Sequence, residues 1–458
     1  MRRSAFTFVC FSMALSGAAG MPPHAFGAGS APVIGFSTYL RGYQSSVGRS
    51  VAVDGQGAII VTGTRDDGDL HSGSFVLKLA ASGQVILWRD EFDATINAVA
   101  TDAQGNVYLA GSIGSGYWPI VNALQPSRAA ATSAVVAKLD PSGKILYSTY
   151  LGGLGPDSAE GIAADSRGEA VVTGTSHGPF PVFAGLSRGT GNPAQGVAFV
   201  TKLNPAGNHV VYSTTVGGRF AAAGFAVALN GSGSSAYVAV RTSAGDPGFP
   251  STRLTRGFSP GKAGTAVLKL FQGRRTVQLV YSIRMNDGCA TCGGIALDTG
   301  GDVYAALGQT LVKVNAGGTA LDWRRHPMLP GNIAGDAQSV GVDSRGDAAI
   351  VGTIADKRLV TLPPLAGVGN TPDGAYVGRF DRIGRPLLRT FLPHARAYAV
   401  SVGGRGNAVF TGEATDSGFP ILHDISPEIP LPICDLPGHA GSVTGSQCPT
   451  AFVTKILG

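Results

Sequence analysis

A short pattern recurs seven times along the chain: an alternating apolar run, an Asp or a stand-in, two residues, a Gly, and a second alternating run ending in Gly-Thr or a close relative. It reads VAVDGQGAIIVTGT from Val51 to Thr64, AVATDAQGNVYLAGS from Ala98 to Ser112 and GIAADSRGEAVVTGTS from Gly161 to Ser176, with looser copies starting at Val227, Gly294, Val340 and Val400. A repeat constrains the fold more than any local propensity, because each unit must bury its apolar face against the next copy. Period-two alternation marks strands, and the Asp-x-x-Gly step marks the tight hairpin that joins them. The Asp carboxylate accepts backbone N–H groups within such a turn, and the Gly supplies the positive φ that closes it. Asp54, Asp102, Asp165, Asp298 and Asp343 hold this structural turn position; Asn230 and Gly403 replace it in the fourth and seventh copies.

A second hairpin follows the first in each unit, as in FVLKLAASGQVILW from Phe75 to Trp88 and FVTKLNPAGNHVVYSTTVGG from Phe199 to Gly218. Two hairpins make four antiparallel strands, one blade of a propeller. With 68 Gly and 27 Pro in 458 residues, long helices are disfavoured, since Gly costs about 1 and Pro about 3 kcal/mol in a helix interior. The expected fold is all-β: a seven-bladed β-propeller of four-stranded antiparallel blades. Phe36 to Gly42 (FSTYLRG) matches the last strand of a unit, compare YSTYLGG at Tyr147 to Gly153, while the chain stops at AFVTKILG, a third strand. The N-terminal strand is therefore expected to pair with the C-terminal blade and close the ring, which removes exposed sheet edges.

The combination of FVTKLNPAG, YSTYLGG, the DSAEGIAAD run and the step from VVTGTS to Phe180-Pro181 resembles the bacterial seven-bladed β-propeller repeat family SBBP. The resemblance extends over the chain beyond its first residues. It implies a propeller in an exported or surface protein and brings no catalytic residues with it.

Arg2 and Arg3, the apolar run from Ala5 to Leu15 and the small residues after it have the three parts of a signal peptide, too short to span a bilayer. Residues 1–28 are read as a removed leader and 29–458 as a single propeller domain, exported to the periplasm or the extracellular space, with no transmembrane segment. Cys289, Cys292, Cys434 and Cys448 come after the leader; an even count in an exported chain favours disulfides, and proximity suggests Cys289 with Cys292 and Cys434 with Cys448. Without Arg2 and Arg3 the formal charge of +6 becomes +4, spread over patches such as Arg274-Arg275 and Arg324-Arg325 that lack the interleaved aromatics of a nucleic-acid groove. No nucleic-acid partner is expected, and a closed ring is expected to be monomeric.

Chemistry is sparse. Gly174-Thr175-Ser176-His177-Gly178 spells the GxSxG elbow, but it falls at a strand end rather than a strand-to-helix turn, and no paired His motif for a metal exists. Asp93, Asp157, Asp287 and Asp336 each precede the first strand of a unit; as a loose acidic ring they would suit calcium, the one candidate cofactor, while the preferred reading is that each caps its own turn. Long second-to-third connections, Thr64 to Gly73, Ser112 to Thr132, Thr175 to Gly196, Arg241 to Ala263, Thr353 to Asp373 and Gly412 to Thr450, are where recognition on a rigid scaffold usually resides. The expected function is a non-enzymatic binding module presenting these loops to a protein, a glycan or an envelope component; the alternative is a hydrolase or lyase with a dispersed site in the central funnel.

Overall fold

Five of the seven first hairpins are tied by their own carboxylate. Asp54 Oδ1 accepts the N–H groups of Gln56 and Ala58 at 3.0 and 2.8 Å, and Asp165 Oδ1 those of Arg167 and Glu169 at 2.9 and 3.0 Å. Asp102, Asp298 and Asp343 each accept the same pair, two and four residues on. The third residue after the Asp is left-handed, as at Gly168 with φ +81°, a region that favours Gly. The computed structural model describes residues 33–68, 72–186, 191–243, 246–254, 264–285, 292–326, 335–355, 373–403, 406–415, 418–425 and 448–457. The leader read over residues 1–28 lies outside them, as do Asp287, Cys289 and Cys434.

The hairpins assemble into seven sheets. A lone strand, β1 (Ile34–Tyr39), comes first. Blade 1 is β2 (Ser45–Val53), β3 (Ile59–Asp66), β4 (Ser72–Leu79) and β5 (Ile86–Phe92). Blade 2 is β6 (Thr95–Thr101), β7 (Val107–Ile113), β8 (Ser133–Leu139) and β9 (Ile145–Leu151). Blade 3 is β10 (Asp157–Ala164), β11 (Ala170–Ser176), β12 (Val197–Leu203) and β13 (Val210–Val216). Blade 4 is β14 (Ala222–Leu229), β15 (Ser235–Thr242), β17 (Gly264–Gln272) and β18 (Val277–Met285), with a two-residue β16 (Arg253–Leu254) added in parallel on β18. Blade 5 is the smallest: β19 (Cys292–Leu297), β20 (Val303–Leu307), β21 (Thr310–Val314) and β22 (Leu321–Arg325). Blade 6 is β23 (Gly335–Val342), β24 (Ala348–Ala355), β25 (Asp373–Phe380) and β26 (Pro386–Pro393). Blade 7 takes β27 (Ala395–Val402), β28 (Ala408–Ala414) and β29 (Thr450–Ile456) from the end of the chain and β1 from its beginning, in the order β27-β28-β29-β1.

The closure is antiparallel, with Thr38 opposite Val453 and the buried hydroxyls of Ser37 and Thr454 hydrogen-bonded at 2.8 Å. The innermost strands β2, β6, β10, β14, β19, β23 and β27 touch in succession, and β27 touches β2 again. Buried apolar residues form seven clusters, one between each pair of neighbouring blades. The core is thus seven interblade layers. Lysines of the third strands cross these layers: Lys78 donates to the Pro141 carbonyl, Lys138 to Pro205, Lys269 to Ala316 and, across the closure, Lys455 to Ala81.

The described parts of the long second-to-third connections run outward rather than over the ring's opening. In blades 2, 3, 4 and 7 an aromatic-proline step, Trp118-Pro119, Phe180-Pro181, Phe249-Pro250 or Phe419-Pro420, buries its ring in an interblade cluster. The chain then descends along the outer strand of its own blade. Val121 bridges to Ser148, Phe183 to Ser213, Leu422 to Ser37, and β16 pairs with β18. These connections occupy backbone groups that an edge strand would otherwise expose. Among the described residues no helix is long and apolar enough to cross a membrane.

Candidate functional site: the central channel

A β-bulge interrupts every innermost strand near its first end: after Gly48 in β2, Ile96 in β6, Ala159 in β10, Gly224 in β14, Cys292 in β19, Ala337 in β23 and Ala397 in β27. A bulge opposes two residues to one and re-aims the extra side chain. The extra residues are Arg49, Asn97, Glu160, Phe225, Gly293, Gln338 and Tyr398, and all seven line one central cavity of about 250 Å³. The bulges lie toward the end where the interblade connections enter.

The side chains held there differ in chemistry while the frame around them repeats. Arg49 is exposed, lies 6.0 Å from the Tyr398 ring centroid and has no carboxylate partner among the described residues. Asn97 Nδ2 donates to the Ala159 carbonyl at 2.9 Å, which fixes the amide and leaves its Oδ1 to the cavity. Glu160 accepts from the Ser158 hydroxyl at 2.6 Å. Burial pushes its carboxyl above the ordinary range, with Ser158 and Arg241 pulling it back. Tyr398 donates to Glu413 Oε1 at 2.9 Å; burial and the Glu413 charge push its hydroxyl up to about 12, so it stays protonated at neutral pH. Blade 5 contributes Gly293, leaving a gap in the circle of side chains.

The residues singled out in the sequence lie elsewhere. Asp93 Oδ2 accepts the Tyr117 N–H at 2.7 Å and so holds the Trp118-Pro119 connection. Asp157 is 1% exposed and accepts the Gly153 N–H at 2.7 Å; burial pushes its carboxyl up against the pull of Ser176, Gly153 and His177. Asp336 sits in β23, opposite Thr353. Among the described residues no three His, Cys, Asp or Glu side chains gather as a metal would need. Ser176 is fully buried within blade 3, and its hydroxyl donates to the Gly178 carbonyl at 3.2 Å. Of the cysteines, only Cys448 has a described side chain, 2% exposed.

The channel residues carry a sequence signal that the repeat alignment contained. Each stands five positions before the turn Asp or its replacement, as Arg49 before Asp54 and Tyr398 before Gly403. That position varies where its neighbours are small or apolar.

Residues 146–181 match the family SBBP, described as a beta-propeller repeat. A search of the curated proteins gives no match. Among solved structures, Raptor of Chaetomium thermophilum aligns at 8% identity over 93% of this chain and 29% of that one, with a TM-score of 0.51; this chain therefore spans less than a third of that protein's length. A structure of the mitotic checkpoint complex aligns at 10% identity over 89% of this chain and 96% of the other, with a TM-score of 0.46. At 8% identity the likeness to Raptor speaks of fold alone.

Proposed function

We propose that this repeat propeller is a non-enzymatic binding module that takes part of a protein, a glycan or an envelope component at the mouth of its central channel. The observation that supports it most is the contrast within the repeat: seven equivalent bulged positions differ in chemistry, from guanidinium to carboxylate to bare backbone, on one nearly uniform scaffold. A spacer has no need of that variety. The chemistry of nucleophilic or metal-assisted catalysis requires convergent nucleophile, base or ligand groups; the described cavity residues provide one carboxylate, Glu160, whose neighbouring hydroxyl, Ser158, stands outside the cavity lining, and no His lines the cavity.

Export belongs to this reading, on the support of Arg2, Arg3 and the apolar run after them, as does a Cys434–Cys448 bond, on the support of the buried and disulfide-bonded Cys448. The test is calorimetric titration of the protein with defined saccharides, envelope fragments and small metabolites, followed by mass spectrometry of the recovered ligand. At least one compound is expected to bind saturably and return unchanged, and Asn97→Trp, which fills the channel, is expected to abolish that binding. Ligand recovered cleaved, or binding indifferent to the blocked channel, would overturn the proposal.

A further inference from the structure

We propose that the channel binds an α-amino acid, with its carboxylate on Arg49, its ammonium between Asn97 and Glu160, and its side chain toward Phe225. The inference rests on the binding reading above and adds the ligand class. It draws on three blades in succession. Arg49 of blade 1 presents a guanidinium whose donors meet no carboxylate among the described residues, held beside the Tyr398 ring at 6.0 Å. A guanidinium offers paired N–H donors in the geometry of a carboxylate. Asn97 of blade 2 gives one of its two Nδ2 N–H groups to the Ala159 carbonyl, and its Oδ1 has no partner among the described residues. Glu160 of blade 3 has one oxygen engaged by Ser158 and a second without a partner among the described residues. Two adjacent acceptors, one of them charged, match an ammonium group with its three donors and no acceptor capacity.

The two charges do not satisfy each other: no ion pair joins Arg49 to Glu160, although both line the same cavity. A simple anion would leave Glu160 facing only the charge of Arg241, with which it makes no ion pair, and a simple cation would leave Arg49 without a carboxylate. One molecule carrying both charges completes both. Phe225, half-buried in blade 4 next to Glu160, and the open position at Gly293 beyond it give an apolar wall and room for a side chain. A cavity of about 250 Å³ falls below the range of drug-sized sites and suits a ligand of this size.

The experiment titrates the wild-type protein, Arg49→Met and Glu160→Gln with the twenty amino acids, with their α-carboxamides and α-N-acetyl derivatives, and with the saccharide panel, after circular dichroism shows that each variant folds. The expected result is binding of a free amino acid that weakens about tenfold or more in each variant, as the loss of a charge-assisted hydrogen bond implies, and equally when the ligand's own carboxylate or ammonium is masked. Binding of saccharides alone, with amino acids inert, would overturn the inference and leave the binding module standing. No binding of any compound would overturn both. An amino acid that binds with this pattern but is recovered chemically changed would keep the channel assignment and overturn the non-enzymatic reading.

Discussion

Replacing Lys202 with Ala will lower the stability of the propeller by about 3–5 kcal/mol, read from the urea or thermal unfolding transition, because it strips a buried ion pair of one partner. Lys202 is fully buried. Its ammonium lies 3.3 Å from Asp165 Oδ2 and 2.8 Å from Glu169 Oε2, and it donates to the Gly233 carbonyl of blade 4 at 2.7 Å and to Gln272 Oε1 at 3.0 Å. One side chain therefore neutralises the turn carboxylate of blade 3 and bonds the turn of blade 4. Burial raises the Asp165 carboxyl, but the backbone and side-chain donors of Glu169 and Arg167, together with Lys202, outweigh it and hold it below its ordinary value. Arg167 also reaches Asp165, at 3.1 Å, yet its side chain is 54% exposed, and an exposed cation is screened too well to replace a buried one. Adding Asp165→Asn to Lys202→Met should recover part of the loss, since the uncompensated charge goes with it. A Lys202→Ala protein within about 1 kcal/mol of wild type, the scale of an exposed pair, would mean that the lysines are not bolts between blades.

Gly174→Ala is expected to cost about 3 kcal/mol, the upper end of what an overpacked methyl produces, and to disturb the channel as well as the core. A Cβ on Gly174 would overlap the Ser158 carbonyl oxygen and come within 2.8 Å of both the Ala159 Cα and the Phe199 ring. Gly174 faces Ala159, the residue just before the Glu160 bulge. The same collision with an innermost-strand carbonyl awaits a Cβ on Gly63, Gly111, Gly352 and Gly412, each beside its own blade's bulge. The glycine of the recurring Gly-Thr step is thus the room that the bulge requires. Gly231 supplies the control, because a Cβ there meets nothing within 4 Å; Gly231→Ala should be neutral or stabilise by about 0.4–1 kcal/mol through the unfolded chain. Equal effects at the two sites, in unfolding and in ligand titration alike, would separate the glycines from the bulges.

Hairpins and blade count are legible in the sequence because alternation and a turn with Asp or a stand-in recur seven times, and ring closure because the first strand resembles the fourth strand of a unit. The bulges are hidden because one extra residue spoils the alternation over only a few positions, and what makes it favourable is the glycine on the neighbouring strand. Arg49 and Tyr398 are far apart in the chain, and only closure of the ring places them together. The described parts of the long connections add a feature their composition does not show. Their Pro, Gly and Ser content resembles free recognition loops, yet the aromatic before each proline, Trp118 or Phe180 for instance, anchors the segment in an interblade core and lays the next few residues along an outer strand. Of the interblade carboxylates, Asp157 serves the Gly153 N–H four residues before it, whereas Asp93 reaches the Tyr117 N–H of a later connection, a contact no local pattern shows.

Everything assigned to the channel depends on the first described strand completing the last sheet, since an unclosed array would not gather seven bulges around one axis. Ser37 and Thr454 bring their hydroxyls within 2.8 Å across that seam, 417 residues apart in the chain. Peptide mapping of the oxidised Ser37→Cys/Thr454→Cys protein therefore measures closure directly. A near-complete disulfide between these two positions in the folded protein is the predicted result; two thiols that stay free and react with an alkylating reagent under native conditions would contradict it.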